Sequence, residues 1–260
     1  MPVPQIALQG SQLDEPAEIE PPQPLAIGGG LEPEYVERRQ VGDQSWLVVA
    51  ADPGTVWPQL EAFVRSRQLP VQESSATQGV IVTPQATLSL QSALRAGSSE
   101  VRCDQSGQSA ESCLTALEQY LGARSATASS SSWTAQRLAS EQTLQLRQQG
   151  DEWEVLIPQP IDRVWAELNH YLSLDFTQEG QRNLLATSAD DYEFLVEYMT
   201  ETERGRNPLQ IVFGPDVKQI RLALEPNGDQ TVLRAINASE RSFSADDQRE
   251  LLERVSGYLR

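Results

Sequence analysis

Two stretches of this chain, 108 residues apart, repeat one another. Residues 39–57 read RQVGDQSWLVVAADPGTVW, and residues 147–165 read RQQGDEWEVLIPQPIDRVW. Without a gap, Arg39/Arg147, Gln40/Gln148, Gly42/Gly150, Asp43/Asp151, Val56/Val164 and Trp57/Trp165 coincide, and Leu60/Leu168 follows. Chance does not supply seven identities in register. Solenoid repeats run roughly 20–50 residues, so a period this long means duplicated domains.

Each copy has the same grammar. A polar strand (residues 35–39, 143–147) meets a turn at Gly-Asp, followed by a more apolar strand (46–50, 153–157) and a Pro-containing break. Gly-Asp between two strand-like runs is a hairpin signal, because Gly accepts the positive φ such turns require. A helix comes next. Its apolar stripe is Val56, Trp57, Leu60, Phe63 and Val64 in one copy, and Val164, Trp165, Leu168, Tyr171 and Leu172 in the other. That is the i, i+1, i+4, i+7, i+8 spacing of a single helix face. Thr55 and Asp162 are the expected N-caps, and Pro58 is tolerable if it lies in the first turn.

Residues 1–34 differ in kind. Seven prolines, Gly28-Gly29-Gly30 and six acids without one Lys or Arg leave little to bury. Yet Ile6, Leu8, Leu13, Ile19, Leu25 and Ile27 are scattered through the segment. Such spacing suits an extended, disordered segment that lies on a partner, or an inert linker. Domain one then spans 35–122, with further strands at 80–83, 87–94 and 100–103. Its second helix carries Cys113, Leu114, Leu117, Tyr120 and Leu121 at the same spacing. A polar linker covers 123–140, with a helical turn or two from Trp133 onward.

Domain two spans 141–260 and repeats the order, with strands at 184–187, 192–198, 209–213, 218–224 and 231–237. Asn227-Gly228 marks a hairpin turn, and Ser244 with Asp247 a capping box. The last helix places Leu251, Leu252, Val255, Tyr258 and Leu259 on one face. Cys113 and Leu251 are equivalent and lie 138 residues apart, against 108 for the first helices. The second copy therefore holds 30 more residues between its helices, mostly within 190–208. The expected fold is α+β: two tandem helix-grip-like domains, each an antiparallel sheet with two helices on one face.

The net charge of −17 argues against a phosphate-backbone partner. No run approaches 18 apolar residues, the length of a membrane helix. Residues 1–30 lack a basic n-region with an apolar core, so no signal peptide is expected in them. The chain reads as cytosolic, or as the mature part of a processed precursor.

No catalytic constellation emerges. His170, the one histidine, lies off its helix stripe at the position of Ala62 and reads as an exposed surface residue. One His and two Cys make no transition-metal set, and neither a P-loop nor G-x-G-x-x-G is present. Asp190-Asp191 and Asp246-Asp247 could serve an oxygen-ligand cation. The first pair reads as a solvated loop, and the second fits a helix N-terminus. No catalytic residue, metal or cofactor is expected. Cys103 and Cys113 close a short loop; they form a disulfide in an oxidising compartment, or are two small buried residues. Trp57 and Trp165 are core, or line a groove that accepts an apolar ligand or peptide.

The run EIEPPQPLAI (residues 18–27), a short Gly-containing link, and then SWLVVAADPGTVWPQLEAFVRSRQLPVQESSATQGVIVT (45–83) resemble the BamC family. These are the NlpB/DapX-type lipoproteins of the outer-membrane β-barrel assembly machinery of Gram-negative bacteria. Pro21-Pro22-Gln23-Pro24-Leu25 and Thr55-Val56-Trp57-Pro58-Gln59-Leu60 are the most specific pieces. The resemblance covers nearly the whole chain, strongly to residue 83 and more loosely beyond. It implies an extended leader followed by two helix-grip domains on a flexible linker.

The resemblance further implies that the leader lies along BamD, the tetratricopeptide-repeat (TPR) lipoprotein of the complex. Ile19, Pro21, Pro22, Gln23, Pro24, Leu25 and Ile27 would make that contact. The family is non-enzymatic and lipid-anchored at the periplasmic face of the outer membrane through an N-terminal cysteine. That cysteine is not among these residues, and the hairpin around Ala96-Gly97 is shorter than the family pattern. The expectation is a scaffold-like accessory subunit. The alternative is a binding module that carries an apolar small molecule or lipid in a helix–sheet groove.

Overall fold

A computed structural model describes residues 35–123, 132–138, 143–204 and 217–260. The first copy opens with the hairpin β1 (Val36–Val41) and β2 (Gln44–Val49), then α1 (Pro53–Ser66). A meander follows of β3 (Glu73–Ser75), β4 (Val80–Val82), β5 (Thr87–Ser92) and β6 (Ser99–Gln105), with β7 (Gln108–Ser109) and α2 (Glu111–Gly122). The short α3 (Trp133–Gln136) leads to the second copy.

There, β8 (Gln145–Gln149), β9 (Glu152–Ile157) and α4 (Ile161–Asp175) repeat the opening. β10 (Thr177–Gln178), β11 (Arg182–Ser188), β12 (Glu193–Tyr198), α5 (Glu201–Arg204), β13 (Lys218–Asn227), β14 (Gln230–Asn237) and α6 (Ala245–Gly257) complete it. The expected strand at 209–213 lies outside the described residues, as do residues 1–34.

The molecule is mixed α+β with two antiparallel sheets. Their orders are β1-β2-β6-β5-β4-β3 and, read from the same end, β8-β9-β14-β13-β12-β11-β10. In each, the last long strand of the meander returns to pair with the second strand of the opening hairpin. The duplication therefore extends to topology. The extra length of the second copy goes into β10, the longer β11–β12 hairpin and α5; residues 205–216 are not described.

Both opening hairpins close through a two-residue Gly-Asp loop, between Val41 and Gln44 and between Gln149 and Glu152. Gly42 and Gly150 adopt φ of +54° and +67° with open space where a Cβ would stand. Conformation, not crowding, demands glycine there. The β13–β14 turn is again Gly-Asp, at Gly228-Asp229 rather than Asn227-Gly228, since Asn227 still pairs with Gln230.

Val56, Trp57, Leu60, Phe63 and Val64 bury the α1 stripe against the first sheet, and α4 does the same with its own stripe. Each such side chain contributes about 1.5–3 kcal/mol as an upper figure. The helix starts differ from expectation. Asp52, not Thr55, caps α1 by accepting from Thr55 N, and Pro160 precedes α4 without a side-chain cap. Ser244 and Asp247 do form a capping box at α6.

Pro58 lies beyond the first turn of α1. Having no N–H, it leaves the carbonyl of Gly54 without its helical donor. Ser132 N donates to that carbonyl at 2.7 Å, and Ala135 of α3 is fully buried in the first core. Residues 132–138, read from sequence as linker, thus pack as part of the first copy.

Candidate functional site

The structure places the predicted site residues unevenly. Ile19 to Ile27 lie outside the described residues. Trp57 and Trp165 are buried, 3% and 7% exposed, and each belongs to the core of its own copy. Trp165 stacks on Phe194 with ring centroids 5.7 Å apart. Cys103 and Cys113 are disulfide-bonded, joining β6 to the first turn of α2.

The polar side of α4 is not a solvated face. It lies on the outer face of the first sheet, so one helix is covered on both sides. Ala166 packs on Trp46, Val48 and Ala93, and Leu94 enters the second core. Around these, Arg39 Nε donates to Glu167 Oε2 at 2.8 Å, and Arg163 Nε donates to Glu100 Oε1 at 2.8 Å. Arg163 Nη2 also reaches the carbonyl of Ser92 at 2.8 Å. Arg95 donates to the Tyr171 hydroxyl.

His170, expected on the surface, is half-buried here. Its Nε2 lies 3.3 Å from Glu37 Oε2. Helical periodicity could not reveal this seam, because its partners sit on a different sheet.

The corresponding face of the second sheet is balanced from within. Glu154 stands where the first copy has Trp46, and it pairs with Arg147 at 2.6 Å and Arg234 at 3.0 Å. No family model matches this chain, and a comparison with curated proteins found no match.

The remaining buried charges also serve the fold. Asp175 pairs with Arg182 Nη2 at 3.1 Å and Arg254 Nη2 at 2.8 Å, and accepts from the Tyr258 hydroxyl. Burial, then that carboxylate, push the Tyr258 hydroxyl well above its usual range. Lys218, the one lysine, joins Glu203 and Asp247 at 2.8 Å each. Burial opposes its charge, but the two carboxylates outweigh it and raise its pKa. Asp191 accepts from Ser188 Oγ and donates its N–H back to it in an exposed turn. Among the described residues, no three His, Cys, Asp or Glu side chains converge as metal ligands.

Among the described residues, two open concavities flank α1, and the larger of the two lies beside α2. A cavity of about 270 Å³ lies between the C-terminal end of α1, the start of α2 and the first sheet. Phe63, Leu69, Ala86, Leu88, Ala110 and Ala116 form its apolar walls, Cys113 contributes the bridge, and Arg67 stands at the rim. The cavity lies toward the far end of α1 from Trp57. Small residues on α2 (Ala110, Cys113, Ala116) were its only trace in the sequence.

Proposed function

We propose that this chain is a non-enzymatic accessory subunit of the outer-membrane β-barrel assembly complex. Its N-terminal segment docks on a BamD-like TPR lipoprotein, and its two compact copies are helix-grip-like modules behind that leader. The observation that carries the reading is the run at residues 18–27 joined to that at 45–83, which resembles the BamC family.

Two structural facts support it. The Cys103–Cys113 bridge suits an oxidising compartment such as the periplasm. The buried charges Arg39, Glu100, Glu154, Glu167, Asp175 and Lys218 are all paired within the fold. That arrangement fits a scaffold, whose interior groups hold shape rather than act on a substrate. A leader that gains order on its partner wraps a large surface at reduced affinity per area. Membrane attachment is assigned to a lipid anchor at the periplasmic face of the outer membrane.

The test is calorimetric titration of the TPR lipoprotein with the full chain and with a chain starting at Ala26. Binding is expected to fall by about a hundredfold or more on truncation, while both forms melt alike. Equal affinity for the two forms overturns the proposal.

A further inference from the structure

The duplication supplies an internal control for the cavity beside α2. Phe63 and Tyr120 meet edge-on with ring centroids 5.3 Å apart. Their counterparts Tyr171 and Tyr258 stack at 5.7 Å, so the two copies can be compared residue by residue here. In the second copy the space is filled. Leu251 stands opposite Cys113 and is fully buried. Gln248 stands opposite Ala110 and bonds the carbonyl of Ala235 at 2.8 Å. Arg254 stands opposite Ala116 and pairs with Asp175 at 2.8 Å.

Every one of these positions is smaller in the first copy, and the result is an opening of about 270 Å³. The charge pair is also broken in a particular way. Arg67 occupies the position of Asp175, and its would-be partner is Ala116. Its guanidinium lies 5.8 Å from the Phe63 ring centroid, and it pairs with no carboxylate among the described residues.

We propose that this cleft binds a small anionic amphiphile: a short aliphatic chain on Phe63, Leu69, Leu88 and Ala116, with its acid group at Arg67. The ligand's acid replaces the charge that the second copy builds from its own residues. At roughly 30 Å³ per water-sized group, the cavity takes about nine methylene-sized groups. That is one short chain, far below a protein interface. The Cys103–Cys113 bridge holds the α2 wall against β6, so the cleft is pre-formed and binding orders little. The described lining of the cleft runs from Phe63 to Ala116, and the proposal does not depend on the docking leader.

Octanoate, 1-octanol and octylammonium serve as probes in an NMR titration of the full chain. Octanoate is expected to shift amides of Arg67, Leu69, Ala110 and Ala116 to saturation. Arg67→Gln should weaken octanoate about fivefold and leave octanol unchanged, and octylammonium should bind most weakly. Ala116→Leu should abolish binding of all three.

Arg67 is exposed, so its variant tests the acid contact even if Ala116→Leu fails to fold. Unchanged octanoate affinity in Arg67→Gln overturns the proposal. So do shifts gathered away from the cleft, for example at the exposed Val71 or Leu174.

Discussion

Arg39 of the first copy and Glu167 of the second face each other at 2.8 Å, both almost wholly withdrawn from water. Neither charge is stable there alone. Their pairing, with Arg163–Glu100 beside it, fixes which face of α4 meets the first sheet. Complementary charges around the apolar contact of Trp46 with Ala166 set orientation as much as strength.

Glu167→Ala strips Arg39 of its cross-repeat partner inside the seam. Arg39 keeps Glu37 at 2.7 Å, so the expected loss is about 1–3 kcal/mol in urea unfolding. The triple change Arg39→Met, Glu167→Leu and Glu37→Gln, which leaves no unpaired carboxylate behind, should recover part of it, since buried ion pairs are often replaceable by apolar groups of similar volume. A single-variant loss below about 1 kcal/mol contradicts the assignment.

Glu37 predicts an acid-limb effect. Burial would raise its carboxyl, but contacts with His170 and Arg39 outweigh burial and hold it down to about 2, against 4.5 ordinarily. The folded chain therefore resists protonation that the unfolded chain accepts. This stabilisation is full above pH 4.5 and is lost as pH falls through 2. In urea melts, the gap between wild type and Glu37→Gln should narrow steadily as pH falls below 4.5. A gap unchanged at pH 3 excludes it.

Ser132→Pro removes the donor that satisfies the Gly54 carbonyl left free by Pro58. The expected cost is about 1–3 kcal/mol. Ser132→Ala keeps that N–H and loses only the cap on Ala135 N, about 1 kcal/mol. Thermal melts that rank the two variants equal rule out the backbone contact as the cause.

Reduction of the Cys103–Cys113 bridge should cost about 2–3 kcal/mol, following the loop it closes. Unfolding with and without dithiothreitol measures this directly. Octanoate affinity should fall with it, because the bridge forms the α2 wall of the cleft. Protein that reacts fully with a thiol probe before reduction refutes the bond.

Much of the fold was legible locally. The Gly-Asp turns, the four apolar stripes and the Ser244 box are short-range patterns, and the structure forms a hairpin, helix or cap at each. The start of α1 was misread because Asp52 and Thr55 are both capping residues, and only backbone geometry separates them. The strand β3 was missed, since Glu73–Ser75 is polar and lies at a sheet edge with one neighbour.

The duplicated plan, the α+β class and the positions of the core helices were thus determined by sequence alone, because periodicity and turn chemistry act within a few residues. Tertiary structure decided the rest. His170 reads as an exposed residue, and Arg163 and Glu167 carry no signal, until β1 and β6 bring Glu37, Arg39 and Glu100 against them. Pro58 reads as a defect until Ser132, 78 residues beyond Gly54, supplies the donor that the Gly54 carbonyl lacks. The cleft exists because Ala110 and Ala116 are small where Gln248 and Arg254 are large, and a void is defined only once the walls around it have closed.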